Sequence, residues 1–176
     1  TYKSAVGKVF YANPEHRMKM VSIIAASNSN NFVAEDLEIR KKGVSYTYDT
    51  INILKERHKK DKFCLIIGLD VFLKIESWYN YKEILNKVNI LVINRPGYNL
   101  NKLNSMDIHI QNRISKNKFD FIKNKKHEIF FYDIAPIDVS SSSIRDIISK
   151  GEDPIKKIPG SIMSYIKRNK LYKKYE

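Results

Sequence analysis

The sequence is poor in the residues that build covalent or metal-held structure. Its one cysteine, Cys64, lies inside the apolar run FCLIIGL, which excludes disulfides and cysteine-rich zinc sites and places the thiol in the expected core. The four histidines, His16, His58, His109 and His127, form no i,i+4 pair and no H-E-x-x-H frame, so no metal site of the protein's own is expected. No apolar run approaches the roughly 18 residues of a membrane helix. The opening TYKSAVGKVF lacks the apolar stretch of a signal peptide, so a soluble, cytoplasmic protein without membrane contact is expected. There is no internal repeat, and 176 residues suffice for a single domain, 1–176, with its own core.

Acidic residues are also in deficit. Against 19 Asp and Glu stand 32 Lys and Arg, a formal charge of +13 that favours anionic partners such as nucleic acid, membrane surfaces or phosphorylated small molecules. The lysines are dispersed, with Asn and Ile beside them, as a general compositional bias would leave them. No RNP, KH or zinc-knuckle pattern is present, so a basic RNA-binding module is the lesser reading and nucleic acid is not the expected partner.

The chain in order gives alternating helices and strands. Thr1 to Ala12 reads as irregular. Asn13-Pro14-Glu15 then supplies an N-cap, a proline at N1 and an acid in the first turn, opening a helix with Met18, Val21, Ile24 and Ala25 inward. FVAEDLEI alternates partly like a strand. A second helix opens at Ser45-Tyr46-Thr47, with Ser45 or Thr47 as its cap and Ile51, Leu54 and His58 inward.

The apolar runs FCLIIGL (63–69) and VNILVIN (88–94) and the segment EIFFYDI (128–134) read as strands, the first two buried on both faces in a parallel sheet; FCLIIGL belongs in its middle. Gly68 and Asp70 close the first of them. Ligands of open α/β sheets bind at such carboxyl ends, which makes Asp70 a ligand candidate beside its alternative as the cap of a short helix from Val71. Between these strands, IESWYNYKEIL holds the only tryptophan, Trp78, with Tyr79 and Tyr81; its rings are either core or a sandwich for a planar ligand. A turn at Arg95-Pro96-Gly97-Tyr98, a surface excursion from Asn99 to Asp107 and a polar helix or long loop from Ser115 to Lys126 follow. The last helix spans Pro154 to Lys170, with Ile158, Ile162, Tyr165 and Ile166 inward. The pattern predicts a Rossmann-like, doubly wound parallel α/β sheet of about four strands that lacks its first βα unit.

The stretch VSSSSIR, Val139 to Arg145, carries the sharpest chemical signal. Ile144, Ile147 and Ile148 at helical spacing and Gly151 as a stop predict a helix over Ser142 to Lys150 with serines at its N-terminus. Free N–H groups, the positive end of the helix dipole and serine hydroxyls make an anion site there. An arginine so close to a positive helix end costs up to about 1 kcal/mol, and a phosphate held by its guanidinium fork reverses that sign. An ordinary N-terminus, with Ser143 and Asp146 as an S-x-x-D capping box, fits the same letters.

Several separated motifs, EHRMKM, GVSYTYDT, FCLIIGLD, ESWYNYKEIL, INRPGY, IDVSSSSIR and YIKRNKLY, together resemble the bacterial nicotinate-nucleotide adenylyltransferases of the nucleotidyltransferase superfamily, along nearly the whole chain. The resemblance implies adenylyl transfer from ATP, with Mg²⁺, to nicotinate mononucleotide, without a protein nucleophile. Ser140, Ser141, Ser142 and Arg145 match the family's I-S-S-T-x-x-R signature, which holds the ATP phosphates, with Arg145 stabilising charge in the transfer. Gly68 and Asp70 match the residues beside the ATP ribose. Thr47, Trp78 and Tyr79 match the pyridine pocket, and Lys3 a lysine of a substrate loop, with Tyr2 where the family has a histidine.

The family's other signature, G-x-F-x-P-x-H-x-G-H, does not occur in this sequence. A chain starting at Thr1 is therefore expected to be an N-terminally incomplete fragment with little or no turnover of its own. A sister enzyme such as phosphopantetheine adenylyltransferase is the nearest alternative; small-molecule substrates are the expected partners, and self-association stays open.

Overall fold

Apolar runs closed by Gly or Asn become short parallel strands in this chain, and the capped stretches between them become helices. The computed structural model describes residues 3–4, 11–41, 43–94, 100–118, 121, 127–135, 139–154 and 157–172, with the backbone alone at 3, 4 and 100. In chain order its elements begin with β1 (Lys3–Ser4), α1 (Pro14–Ser27), α2 (Leu37–Arg40), β2 (Val44–Ser45), α3 (Thr47–Arg57), β3 (Cys64–Gly68) and α4 (Leu69–Phe72). A 3₁₀ turn at Ile75–Ser77, α5 (Tyr81–Lys87), β4 (Asn89–Asn94), a 3₁₀ stretch at Leu100–Ser105 and α6 (Ile108–Gln111) follow. The described chain closes with β5 (Ile129–Asp133), α7 (Ser141–Ser149) and α8 (Gly160–Arg168). The expected α/β class with parallel strands is what forms, in two compact units: Thr1–Ser45 with Ile137–Glu176, and Tyr46–Pro136.

In the unit Tyr46–Pro136, β3, β4 and β5 make a parallel sheet in that order, Ile67 facing Val92 and Val92 facing Phe131 across the two pairings. Ile90 and Val92 of the central strand are fully buried with Phe72, Ile75, Ile84 and Ile129, each such side chain contributing about 2 kcal/mol by leaving water. The middle of the described sheet is therefore β4 and not β3. Cys64, expected in the core, is exposed, and Ile66 on the same face is 63% exposed. An apolar run signals two covered faces, but the described chain covers only the side bearing Leu65 and Ile67.

In the other unit, Asn13 caps α1 by accepting the His16 N–H at 2.9 Å, and Pro14 takes the first helical position, as the sequence requires. Met20, Ile23 and Ile24 pack on a core of Ile148, Ile162, Met163 and Ile166. Val21, expected inward, is 54% exposed. Apolar residues run most of the way round α1, so helical period alone does not select its buried face. Tyr165 ties α8 to α1 through a 2.8 Å hydrogen bond to His16 Nδ1.

Other departures have local causes. FVAEDLEI contains no strand: Asp36 and Arg40 pair at 2.7 Å with i,i+4 spacing and favour the helical turn α2. Short strands occur instead at Lys3–Ser4, inside the stretch read as irregular, and at Val44–Ser45, and these two pair parallel. Neither Ser45 nor Thr47 caps α3; Tyr46 holds the N-cap position, and Ser45 Oγ donates to the Glu38 carbonyl instead. His58 is exposed and pairs with Asp61. The excursion from Asn99 holds the 3₁₀ stretch and buries Met106. The last helix starts at Gly160, six residues later than expected. The Arg95–Tyr98 turn and most of the Ser115–Lys126 segment lie outside the described residues.

Candidate functional site

Four consecutive serines divide the work at the start of α7. Ser140 is the N-cap: its Oγ accepts the Ser143 N–H at 3.0 Å, and its own N–H donates to Ser143 Oγ at 3.2 Å, a reciprocal capping box. The cap thus joins Ser140 to Ser143. Asp146, the partner expected for Ser143, pairs with Lys150 at 2.7 Å on the surface. Ser141 and Ser142 stay outside the box, although the Ser142 hydroxyl lies 3.0 Å from Ser140 Oγ in a hydrogen bond, and their backbone N–H groups have no acceptor among the described residues. At the far end Gly151 takes φ +81°, its N–H donating to Ile148 and that of Glu152 to Ile147, so the predicted glycine stop is a Schellman cap.

Arg145 lies four residues after Ser141 and three after Ser142, on the same helix face. All three line a cavity of about 510 Å³ with Tyr11, Arg17 and Tyr172 around it. The Arg145 guanidinium stacks over the Tyr11 ring, 4.3 Å to the centroid. Burial pushes the Tyr172 phenol above its usual range, partly offset by the charges of Arg145 and Arg17. Two guanidinium groups, two hydroxyls and a helix N-terminus at one side of this otherwise apolar-lined cavity are groups that suit a multiply charged anion. The sequence reading missed Tyr11, Arg17 and Tyr172. Arg17 lay within EHRMKM and Tyr172 within the closing motif, but only folding brings them to α7; Tyr11 carried no periodic signal.

The unit Tyr46–Pro136 holds the other expected residues. Gly68 ends β3, and a Cβ there would lie 2.6 Å from Asp70 Oδ1. The Asp70 carboxylate is therefore folded back over the bare glycine at the carboxyl end of the sheet. It is exposed, in the first turn of α4, with no capping bond to that helix, so its alternative as a cap falls away.

Thr47 is the first residue of α3, between Tyr46 and Tyr48. Tyr79 packs against both neighbours, with ring centroids 4.9 Å from Tyr46 and 5.8 Å, edge-on, from Tyr48. The first turn of α3 and the aromatic segment are thereby brought together. Trp78 is half-buried and packs on the core, while Tyr79 is 52% exposed, so the segment offers one ring held by the core and one open to solvent. Tyr46 and Tyr48 were not anticipated; spaced i,i+2, they gain a shared role only through Tyr79. Lys3 is described only in its backbone, and its expected substrate role lies outside the described side chains. Among the described residues no group of three or more His, Cys, Asp or Glu gathers as metal ligands, and no helix is long and apolar enough to cross a membrane.

A family model described as Cytidylyltransferase-like matches residues 10–147, a span holding Thr47, Gly68, Asp70, Trp78, Tyr79, the serines and Arg145. The "Probable nicotinate-nucleotide adenylyltransferase" of Clostridium acetobutylicum is 35% identical over 161 residues, covering 92% of this chain and 74% of that protein. Its namesake from Clostridium novyi is 32% identical over 186 residues, covering 98% and 87%. Among solved structures, Plasmodium falciparum nicotinic acid mononucleotide adenylyltransferase complexed with APC matches with a TM-score of 0.64 at 24% identity, over 92% of this chain and 76% of that one. That last likeness is one of fold.

Proposed function

Because this chain belongs to the cytidylyltransferase-like family and, within it, to the nicotinate-nucleotide adenylyltransferases, we propose that it carries out adenylyl transfer from ATP to nicotinate mononucleotide in NAD biosynthesis. A phosphate oxygen of the mononucleotide attacks the α-phosphorus of ATP. The bond from that phosphorus to the bridging oxygen breaks, and pyrophosphate leaves with the electron pair. In this displacement no side chain forms a covalent bond to either substrate, so the protein acts by positioning and charge stabilisation.

The observation that carries this reading is the α7 cavity. Ser141, Ser142 and the helix N-terminus hold the outer phosphates of ATP, Arg145 draws off the charge that collects on the departing pyrophosphate, and Ser140 keeps the helix end in place. Gly68 leaves room for the ATP ribose and Asp70 accepts its hydroxyls. Thr47 and the first turn of α3 meet the pyridine carboxylate, Trp78 and Tyr79 its ring, and Lys3 belongs to a loop that meets the mononucleotide. Mg²⁺ arrives chelated by ATP, as part of the substrate, and the reaction takes place in the cytoplasm.

Calorimetric titration with ATP and, in turn, nicotinate mononucleotide, nicotinamide mononucleotide and phosphopantetheine tests the assignment. Nicotinate mononucleotide is expected to bind tightest of the three, and ATP binding is expected to weaken in Arg145→Ala. Tighter binding of phosphopantetheine overturns the proposal.

A further inference from the structure

The segment that carries Trp78 and Tyr79 is fastened at both ends to one distant residue. Glu76, in the 3₁₀ turn before it, accepts the Asp107 backbone N–H at 2.7 Å. Tyr81, the first residue of α5 after it, donates its hydroxyl to Asp107 Oδ2 at 2.5 Å. Asp107 is itself held, since its other carboxylate oxygen accepts the His109 N–H at 2.8 Å as the N-cap of α6, and Lys82 Nζ stands 3.4 Å from Oδ2.

Between these two bonds the backbone turns tightly, the Trp78 N–H donating to the Ile75 carbonyl and the Tyr81 N–H to that of Trp78, while the side chains lie largely at the surface. Ile75 on one side and Ile84 and Leu85 on the other are buried, but Ser77, Tyr79 and Asn80 are exposed and Trp78 only half-buried. Asn80, at the N-cap position of α5, takes the left-handed conformation, φ 53°, which asparagine adopts more readily than most residues. Asp107 joins the two ends, closing Glu76 to Tyr81 into a loop of set span.

We infer that Tyr81, Asp107 and Glu76 are positioning residues for the mononucleotide pocket, holding Trp78 and Tyr79 in the geometry that receives a pyridine ring. The inference rests on the reading of these two rings as that pocket. None of the three touches the ligand; they act by removing the alternative loop conformations that binding would otherwise have to select against.

Trp78 is the only tryptophan, so its emission reports on this segment alone. Nicotinate mononucleotide is titrated into the parent chain and into Tyr81→Phe, which keeps the ring and removes the bond, with Asp107→Ala as a second break and Glu76→Gln as the variant that retains an acceptor. In the parent, the ligand is expected to change the emission. Loss of one bond to a charged group is expected to weaken mononucleotide binding about tenfold in Tyr81→Phe. ATP affinity stays within about twofold, melting remains cooperative, and Glu76→Gln binds as the parent does. No emission response in the parent overturns the pocket reading itself. A normal parent response with unchanged affinity in Tyr81→Phe and Asp107→Ala overturns the positioning role alone, as does equal weakening of ATP and mononucleotide.

Discussion

The guanidinium carbon of Arg145 stands 4.3 Å from the centroid of the Tyr11 ring. A cation over a π face at this range is oriented without giving up its planar donors, and no hydrogen bond from Arg145 to a described residue competes for them. Arg145→Ala should lower turnover in an active enzyme roughly 10²-fold while the melting temperature barely moves. Pyrophosphate release together with a thermal melt checks this; an unaffected rate returns Arg145 to a solvated surface role.

The four serines should separate in a mutational series. Ser140→Ala removes the acceptor of the capping box and should cost about 1 kcal/mol of stability. Ser141→Ala lies outside the box and should leave the denaturation midpoint in place while weakening ATP binding. Chemical denaturation and ATP titration on both variants are the measurement, and equal destabilisation by the two would contradict the division of labour seen at α7.

Gly68→Ala should fold normally and bind ATP more weakly. The new methyl would meet Asp70 Oδ1 at 2.6 Å, and that atom is the end of an exposed side chain that can swing away. Displacing the carboxylate removes the proposed ribose acceptor without disturbing β3. Calorimetric ATP affinity beside the melting temperature decides the matter: a loss of fold with the affinity unchanged would place the role of Gly68 in the backbone alone.

Acid should open the Asp107 bracket in a window set by Tyr81. The Tyr81 hydroxyl bond, then the His109 N–H, hold the Asp107 carboxyl down to about 2, with Lys82 adding to the effect. The same bond, with burial and the charges of Asp107 and Glu76, pushes Tyr81 up to about 12. A carboxyl depressed in the folded state stabilises fully above its unfolded value, about 3.9, and that contribution is lost as pH falls towards about 2. For the phenol, raised in the folded state, the contribution is complete below its unfolded value near 10 and lost as pH climbs through about 12. Trp78 emission should therefore be insensitive to this pair between about pH 4 and 10. In Tyr81→Phe the acid transition should move up towards the ordinary carboxylate range; an identical acid limb in both proteins would count against the bond.

Legibility followed the range of the interactions. The start of α1 at Asn13-Pro14, the strand VNILVIN and the Gly151 stop were readable because each is decided within a few residues, by a cap, an apolar run or a φ that glycine adopts without strain. The buried face of α1 and the exposed edge of β3 were not, since both depend on what packs against them from elsewhere in the chain. At the sites the same boundary holds. VSSSSIR read as an anion site or an ordinary cap, and which two serines form the cap was decided only by the bonds between Ser140 and Ser143.

By itself the sequence determined the chemistry: a serine-rich helix start with an arginine one turn in, a Gly-x-Asp at a strand's carboxyl end, and an aromatic segment with the chain's only tryptophan. Those are local facts, written in residue type and spacing. Tertiary structure alone decided that Tyr11, Arg17 and Tyr172 join Arg145, that Tyr46 and Tyr48 flank Tyr79, and that Asp107 ties Glu76 to Tyr81. These partners lie tens of residues or more apart along the chain, and no local preference encodes them. They meet because burying Ile75, Ile84, Ile148 and Ile162 leaves their backbones nowhere else to run.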